Sequence, residues 1–380
     1  MKIGIITWFT GPNYGTNLQA IALQYFLHQQ GNDVSIINYD VAPPTVKNCG
    51  RNIIEKIKNQ PHKYLTKYAL YKYKAQILNR NKKMVSEIQK NCNFTDRIQS
   101  EEELIENCNK FDLLICGSDQ IWNPNWYNKF YYADYPEILT PRISYAPSLG
   151  VNNIPKDKLR EIITGLKKFD AISVREEKGA DILTPYLEEK PSVVLDPTFL
   201  LSEDDWASIF PLKNDHESND YVLAFFLAEN KQHFRATQDF AKRHNLKYII
   251  VPYVGISYLQ KGEKLAETSS GDLLNLIRNA KYVITDSFHI TVFSLIHKKQ
   301  FYTFQRFKED AYSSQNVRIT NLLKLVHLEN RMIPYETTSI MDLEDINYIE
   351  KSSIMKREIS KSMEFLLTSI KQVENKRIKN

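Results

Sequence analysis

Short apolar segments and longer amphipathic segments alternate along almost the whole chain. The apolar segments, such as Lys2–Thr7, Leu113–Cys116 and Tyr282–Thr285, have the length and composition of buried strands. Between them, segments such as Asn17–Gln30 repeat apolar residues at helical spacing, and Gly31 ends that helix. Repeated alternation of strands and helices predicts parallel sheets covered by helices, so we expect an α/β fold.

A change in composition after Leu201 divides this pattern into two series. Residues 202–220 are polar and acidic and form the best candidate for a linker. We therefore expect one domain over residues 1–201 and a second over 221–338, followed by a C-terminal helix and tail over 339–380. A cleft between two such domains is the usual place for a ligand site.

The bulk composition indicates a cytoplasmic protein. The longest apolar run, Tyr221–Ala228, is far shorter than the roughly 18 residues that span a bilayer. The N-terminal segment has the pattern of a strand and lacks the layout of a signal peptide. The four cysteines are dispersed, and no Cys-x-x-Cys pair occurs, which argues against a structural zinc site and a disulfide framework.

Positive charge is concentrated in a basic helical insertion over about residues 43–100. The net charge is +5, yet residues 51–90 alone contain eleven Lys or Arg and only two Glu. This segment also contains four tyrosines and several aliphatic residues at loosely helical spacing. It is interpreted either as a solvated helical arm or as a surface for an anionic membrane face or lipid diphosphate. No nucleic-acid motif accompanies the charge, so we expect no nucleic-acid partner.

The most informative corner of the chain follows the strand Tyr282–Thr285. Thr285, Asp286 and Ser287 are all capable helix N-caps, and His289 follows them at a predicted turn before an apolar helix. In α/β folds such a corner, at the carboxyl end of a strand, faces the ligand. A histidine there suits a general acid or an anion contact. The alternative is a partly buried histidine that is hydrogen-bonded to a backbone carbonyl.

Other strand ends also carry candidate binding residues. Gly11–Asn17 lies between the first strand and the first helix, where Gly15 and nearby backbone N–H groups can receive an anion, unless the segment is a simple turn. Arg175 and Arg306 each follow a predicted strand. Both are candidates for bidentate capture of a carboxylate or phosphate, with an ordinary ion pair as the alternative.

The loop Gly117–Trp126, GSDQIWNPNW, has the composition of a sugar-binding loop. Asp119 and Gln120 can bond sugar hydroxyls, and the face of Trp122 can stack on a sugar ring. The alternative is a rigid loop in which Asp119 caps the next segment and Trp122 packs inward.

Several motifs of other enzyme classes are absent from the sequence. There is no Asp-x-Asp pair of the kind used by metal-dependent nucleotide-sugar enzymes, and no His-Glu-x-x-His or comparable ligand cluster. There is also no Gly-x-Ser-x-Gly nucleophile elbow. We therefore expect no bound metal.

Seven segments, in a fixed order, carry a more specific signal. They are NYGTNLQAIALQYFLHQQG, FDLLICGSDQIWNP, ISYAPSLG, FDAISVREEKGADIL, VVLDPTFL, TDSFHITVFSLIHKKQF and NVRITNLL. Together they resemble the polysaccharide pyruvyl transferase family. The resemblance runs from the first residues to about Leu325. Residues 43–100 and the C-terminal tail carry no motif of it.

This resemblance implies two Rossmann-like domains that face a cleft in a GT-B-like arrangement. It also implies transfer of the enolpyruvyl unit of phosphoenolpyruvate (PEP) to a sugar, which forms a pyruvate ketal on a bacterial surface polysaccharide, such as a capsule or exopolysaccharide, or on its lipid-linked precursor. PEP is then a co-substrate, and no cofactor is implied.

The resemblance also assigns roles to individual residues. Relatives use a histidine in the TDSFH-type motif as general acid and an arginine in the SVR-type motif to hold PEP, which correspond to His289 and Arg175. Arg306 is the match for a second basic residue, and Ser287 and Gly15 are further expected substrate contacts. The acceptor sugar is expected to contact four residues, Asn17, Asp119, Gln120 and Trp122.

The chain departs from the family pattern beside the histidine. Relatives commonly have Gly there, whereas this chain has Ile290, which is expected to narrow the space around His289. Pro147 and Leu149 also replace residues that are usually Ala and Phe.

Two other functions fit the same pattern. One is a GT-B-type glycosyltransferase that uses a nucleotide sugar, because a fold does not fix a function. The other is a non-catalytic scaffold in a glycan-assembly complex. Binding of PEP or of a nucleoside diphosphate distinguishes these possibilities.

Overall fold

The computed structural model describes residues 1–39, 60–211, 220–308 and 314–379 of the chain. The first part of the predicted basic insertion and most of the second half of the predicted linker lie outside the described residues, as does Cys49. Within these ranges the chain forms helices, two larger parallel sheets and a two-stranded parallel ladder, which confirms the predicted α/β class.

The first sheet and a short neighbouring ladder come from the first half of the chain. The strands are β1 (Lys2–Ile6), β2 (Asp33–Ile36), β3 (Leu113–Cys116), β4 (Arg142–Ser144), β5 (Ser173–Val174) and β6 (Ser192–Val193). The sheet has the order β2–β1–β3–β4, and every pairing is parallel. The parallel pair β5–β6 continues beside it, since the N–H of Ser144 donates to the carbonyl of Ala171.

The helices of this half cover the sheet and include the basic insertion. They are α1 (Tyr14–Gln29), α2 (Gln60–Lys72), α3 (Lys74–Asn91), α4 (Glu101–Cys108), α5 (Lys156–Leu166), α6 (Glu177–Leu183) and α7 (Glu203–Ile209). Helix α7 falls inside the predicted linker. Ser202 and Asp205 form a capping box at its start, and its acidic first turn complements the helix dipole. The first part of the linker is therefore a helix rather than an extended connection.

The second sheet comes from the second half of the chain. Its strands are β7 (Tyr221–Phe225), β8 (Lys247–Ile250), β9 (Glu263–Lys264), β10 (Tyr282–Thr285), β11 (Gln300–Phe304) and β12 (Met332–Ile333). The order is β12–β11–β10–β7–β8–β9, with parallel pairings throughout. Nearly every residue of β7, β10 and β11 is buried, as expected for parallel strands that are covered on both faces.

The helices of the second half are α8 (Lys231–Arg243), α9 (Ser270–Asn279), α10 (Phe288–Ile296), α11 (Val317–Leu325) and α12 (Tyr348–Lys379). Helix α10 begins two residues before the predicted start. His289 therefore lies in the first helical turn rather than at a turn before the helix.

The described part of the basic insertion joins the two halves of the molecule. Arg80 of α3 is buried, donates to the carbonyl of Pro252 at 3.0 Å, and lies 5.5 Å from the ring centre of Tyr253. Glu87 accepts from the hydroxyl of Ser269 and from the N–H of Ser270 at the start of α9. Because these contacts are buried or partly buried, α3 is a structural brace rather than only a solvated arm.

Helix α12 brings the end of the chain back to the first half. The hydroxyl of Ser362 accepts from the N–H of Leu195 at 2.9 Å, and Lys376 pairs with Asp170 at 2.9 Å. The helix lies within residues 339–380, for which a C-terminal helix and tail were predicted. None of the helices in the described ranges has the length and apolarity that a membrane span requires.

Candidate active site

The carboxyl ends of strands from both sheets meet at one buried place. Ser118 follows β3, Arg175 follows β5 and Asp196 lies shortly after β6, while His289 comes from α10 after β10. Ligands of parallel α/β sheets bind at these strand ends. The structure thus brings together Arg175 and His289, which the sequence proposed from motifs more than a hundred residues apart.

Asp196 lies at the centre of this cluster. Its Oδ2 is 2.9 Å from Nη2 of Arg175 and 3.6 Å from Nε2 of His289. Its Oδ1 accepts from the N–H and the hydroxyl of Thr198. Burial favours the neutral acid, but the charges of Arg175 and His289 hold the pKa of Asp196 well below its usual value. No role was predicted for Asp196, although it lies in the family segment VVLDPTFL.

His289 is held between Asp196 and the start of α1. Its ring packs against Gly15, where a Cβ atom would stand only 1.9 Å from Nδ1, so a glycine is required at this position. No hydrogen bond from His289 to a backbone carbonyl occurs among the residues that the structure describes. Within the described residues, the buried Nε2 has no hydrogen-bond partner, because Asp196 is beyond hydrogen-bonding distance.

Arg318 of α11 is a second buried cation in this site. The guanidinium carbons of Arg175 and Arg318 lie 5.0 and 5.7 Å from the ring centre of Phe288. Burial, together with the positive charge of Arg175, lowers the pKa of Arg318 to about 10, so Arg318 stays charged at neutral pH. Arg318 was missed as a site residue, although it lies in the family segment NVRITNLL.

Arg306, the predicted second cation, lies at a more open position than Arg318. It is half-buried, and its guanidinium carbon is 5.2 Å from the ring centre of Phe307. Its charge acts on the buried Asp286, which accepts from the N–H groups of Leu227 and Ala228. Burial raises the pKa of Asp286 to about 6, and the charge of Arg306 opposes that rise.

Two helix N-termini approach the same cluster. Ser287 precedes α10 with an extended backbone, and its side chain makes no capping hydrogen bond. The first N–H groups of α10 therefore have no cap from this side chain. Gly15 lies in the first turn of α1 and contacts His289. Helix N-termini attract anions, so both helices add to the positive potential of the site.

Several buried polar atoms in this region have no hydrogen-bond partner. Among the described residues they include Arg175 Nε and Nη1, Arg318 Nε, Glu176 Oε2, Asn17 Oδ1 and His289 Nε2. Buried polar atoms are normally paired, and an unpaired one costs about 1–3 kcal/mol. Because most of these atoms are nitrogens of positively charged or protonatable groups, the site is suited to a small, negatively charged ligand.

Asp119 and Gln120 are buried beside this cluster and make structural contacts. Oδ2 of Asp119 accepts from the hydroxyl of Thr16 at 2.7 Å. Nε2 of Gln120 donates to Oε1 of Gln315 at 3.1 Å, and the same oxygen accepts from Arg318. These side chains therefore connect the loop after β3 with α1 and with Arg318. Their predicted contact with a sugar stays a prediction.

Trp122 cannot make the predicted contact with a sugar. It is fully buried, stacks on Tyr132 with ring centres 5.2 Å apart, and donates to the carbonyl of Tyr131. A ring without exposed surface has no face for a ligand, so the inward-packed alternative is correct. Trp8 and Trp126, with ring centres 6.0 Å apart, are only partly buried in the same region.

Gln19 of α1 connects three segments around the site and was not predicted. Its Nε2 donates to the carbonyls of Trp8 and Thr16, and its Oε1 accepts from the N–H of Ser118. Ser118 in turn accepts a 2.6 Å hydrogen bond from Arg175. The sequence alone does not show that Gln19 is fully buried. That becomes clear only from the structure, in which α1 is buried on nearly all sides.

Ile290 lies in the hydrophobic core, which it shares with Val292 and Phe293. Consecutive residues of a helix point about 100° apart, so Ile290 faces a different direction from His289. The structure thus gives Ile290 a packing role.

A comparison with protein families agrees with the family resemblance of the segments that form this site. The family model described as polysaccharide pyruvyl transferase matches residues 13–306, a range that includes Gly15, Arg175 and His289 and ends before Arg318. No curated protein matches the chain.

Similar solved structures include three sugar-nucleotide or glycosyl-transferring enzymes. UDP-GlcNAc 2-epimerase from Neisseria meningitidis, bound to UDP-GlcNAc, is 10% identical, with 97% of this chain and 100% of that chain covered and a TM-score of 0.48. UDP-GlcNAc 2-epimerase from Methanocaldococcus jannaschii is 12% identical over 94% and 99%, with a TM-score of 0.49. The glycosyltransferase SnogD from Streptomyces nogalater is 12% identical over 98% and 99%, with a TM-score of 0.47. Because the family model matches most of the sequence, the chain belongs to the polysaccharide pyruvyl transferase family.

Proposed function

We propose that this protein transfers the enolpyruvyl group of PEP to a sugar of a bacterial surface polysaccharide, or of its lipid-linked precursor, and forms a pyruvate ketal. The observation that carries the proposal is the buried cluster in which Arg175, Arg318 and His289 converge from both sheets. PEP carries a carboxylate and a phosphate on a three-carbon skeleton, so its site needs several fixed cations at short range.

The two arginines suit the two anionic groups of PEP. Arg175 is oriented by Asp196 and Ser118 through one edge of its guanidinium, which leaves Nε and Nη1 without partners among the described residues. These two nitrogens lie on opposite edges of the guanidinium, so each can donate a single charge-assisted hydrogen bond to an oxygen of a carboxylate or phosphate. Arg318 is then placed to bind the other anionic group, with Arg306 at the open side.

His289 is the proposed general acid. The ionised carboxylate of Asp196, 3.6 Å from Nε2, stabilises a positive charge on the imidazole ring. Transfer of a proton from the His289 ring to C3 of PEP converts the methylene into a methyl group and makes C2 electrophilic. Burial of His289 and Asp196 also limits access of water to the electrophilic carbon.

The remaining steps involve two hydroxyls of the acceptor. The first hydroxyl oxygen forms a bond to C2, and the bond from C2 to the phosphate oxygen breaks. A second hydroxyl of the same sugar then attacks C2 and closes the ketal. Two protons leave the hydroxyls in total, which balances one proton delivered to C3 and one carried away with inorganic phosphate.

Phosphate release tests this proposal directly. Purified protein is mixed with PEP and glycans extracted from the source organism, and inorganic phosphate is measured. We expect release by the wild type and at least a ~100-fold lower rate for His289→Gln, since general acids contribute about 10²–10⁴-fold. His28→Ala, at an exposed position near the end of α1, is the matched control and should retain full activity. Full activity in His289→Gln would refute the assigned role of this histidine.

We also propose that α2 binds the anionic face of a membrane, where a lipid-linked acceptor resides. Tyr64, Leu65, Tyr68 and Tyr71 form an exposed row, and Tyr71 is 77% exposed. Their i, i+1, i+4, i+7 spacing places them on one helix face. Lys67 and Lys72 are exposed on the same helix, and aromatic residues with adjacent lysines suit the headgroup region of anionic lipids.

Vesicle flotation tests this surface. We expect co-flotation with vesicles that contain phosphatidylserine and much less with phosphatidylcholine alone. The double variant Tyr68→Ser/Tyr71→Ser should lose co-flotation, whereas Tyr186→Ser, a change at an exposed tyrosine of the first half, should not. Equal behaviour of all three proteins with both vesicle types would refute membrane binding by α2.

A further inference from the structure

A cavity lies beside the first turn of α1. Its volume is about 270 Å³, and the described residues that line it include Trp8, Phe9, Thr10, Thr16, Tyr39 and Tyr131. It combines aromatic rings with hydroxyl groups. Trp8 and Tyr39 are only partly buried, and Thr10 at the rim is exposed.

The arrangement of the rings leaves Trp8 as the central aromatic surface. Its ring centre is 6.0 Å from that of Trp126 and 6.2 Å from that of Tyr131, and the planes of the Trp8 and Tyr131 rings are nearly perpendicular. The backbone of Trp8 is fixed by the hydrogen bond from Gln19 to its carbonyl. An aromatic ring that is fixed in place and only partly buried can stack on the apolar face of a sugar.

The cavity is connected to the cluster of Arg175, Asp196 and His289 by short contacts. Thr16 lines the cavity and donates to Asp119, while the preceding residue, Gly15, packs against His289. Gln19 ties the Trp8 segment to Ser118, which is bonded to Arg175. The cavity and the proposed PEP site therefore both contact the first turn of α1.

From this geometry we infer that the cavity binds the acceptor glycan, with a hexopyranoside ring stacked on Trp8. This inference rests on the proposed function, because it assigns the second substrate of that reaction. Trp8, rather than the buried Trp122, is then the aromatic residue that contacts the sugar. The exposed rim at Thr10 leaves a path by which the rest of a glycan can extend into solvent.

Sugar and PEP binding are measured separately on the full-length protein. Saturation-transfer difference NMR is recorded with methyl β-D-glucopyranoside, methyl β-D-galactopyranoside and methyl β-D-mannopyranoside, and PEP binding is measured by calorimetry. Trp8→Ala removes the stacking ring and Trp8→Phe retains one. Thr10→Trp fills the cavity from its exposed rim without removing a core side chain, and Thr10→Ser is its control.

We expect transfer signals for at least one methyl hexoside with the wild type, Trp8→Phe and Thr10→Ser, and their loss in Trp8→Ala and Thr10→Trp. The Kd for PEP should change less than about twofold in the four variants. Undiminished sugar signals in Thr10→Trp, or no sugar signal in a wild type that binds PEP, would overturn this inference. Failure of the wild type to bind PEP would instead count against the proposed function.

Discussion

Gly15 of α1 lies directly against the imidazole ring of His289, so closely that a Cβ atom at Gly15 would stand 1.9 Å from Nδ1. Real Cβ atoms do not approach another heavy atom so closely, and the ring has no open space on this side. The contact joins the first helix of the chain with the helix that follows β10. Through it, the position of the proposed acid depends on a residue 274 positions earlier in the sequence.

A Gly15→Ala change should displace the His289 ring and remove most phosphate release, by about 100-fold or more, because misplacement of a catalytic group by 1 Å can cost that much. In the wild-type background, the Gly15→Ala change should also lower the melting temperature of the protein. In a His289→Ala background the added methyl group meets no ring, so its effect on stability should largely disappear. Equal destabilisation in both backgrounds would show that the contact does not control the position of the ring.

Arg318 should contribute more to PEP binding than Arg306. Arg318 is buried beside Phe288 and bonded to Gln315, whereas Arg306 is half-buried and more screened by solvent. A hydrogen bond to a charged group is worth about 1.5–3 kcal/mol, so Arg318→Ala should raise the Kd for PEP by roughly 10–100-fold. Arg306→Ala should raise it less than about tenfold. Calorimetry that gives the reverse order would contradict the assignment.

Asp286 should make the stability of the protein depend on pH in a defined window. Its pKa is raised from 3.8 to about 6 in the folded state, so between pH 4 and 6 the folded chain holds more protons than the unfolded chain. The stabilising contribution of the neutral carboxyl is therefore complete below about pH 4 and is lost as the pH rises through 6.

An Asp286→Asn variant does not titrate at this position, and it loses one of the two acceptor bonds at every pH. As the pH rises from 4 to 7, the wild type loses the contribution of the neutral carboxyl and the variant does not. We therefore expect the free energy of unfolding of the variant, minus that of the wild type, to increase by up to about 3 kcal/mol over this range. Denaturant unfolding at a series of pH values measures this difference. Parallel curves for the two proteins would contradict the raised pKa.

Trp122 should behave as a core residue. Trp122→Ala is expected to lower the free energy of unfolding by about 3–5 kcal/mol, because it removes a fully buried ring that stacks on Tyr132. Trp122→Phe should retain sugar binding. A Trp122→Ala protein that is as stable as the wild type but does not bind methyl hexosides would restore the predicted sugar contact.

Much of the fold was predictable because hydrophobic periodicity is a local signal. The strand Tyr282–Thr285 was predicted with its exact bounds, and Leu113–Cys116 likewise. The boundary at α10 was missed by two residues, since Phe288 and His289 have no local feature that separates a turn from a first helical turn. The helix inside the predicted linker was missed because an acidic polar run describes both an exposed connection and a well-capped short helix.

The site was predictable only where a residue type stands out beside a strand end. His289 and Arg175 follow apolar strands as polar residues and were found, and the structure brings both to Asp196. Trp122 and Gln19 show the limit of this reasoning. Whether a tryptophan faces a ligand or the core, and whether a glutamine in an apolar helix bridges three segments, depends on contacts between distant parts of the chain.

The proposed function depends most directly on whether PEP binds to the arginine and histidine cluster, a question that needs no knowledge of the acceptor. Calorimetric titration of PEP into the full-length protein is the measurement, with Arg175→Ala as the test variant, His28→Ala as the control and UDP as a competing ligand class. We predict one binding site for PEP in the wild type and in His28→Ala, at least ~10-fold weaker binding in Arg175→Ala, and no heat with UDP. Binding of UDP without binding of PEP, or equal PEP affinity in Arg175→Ala and the wild type, would contradict it.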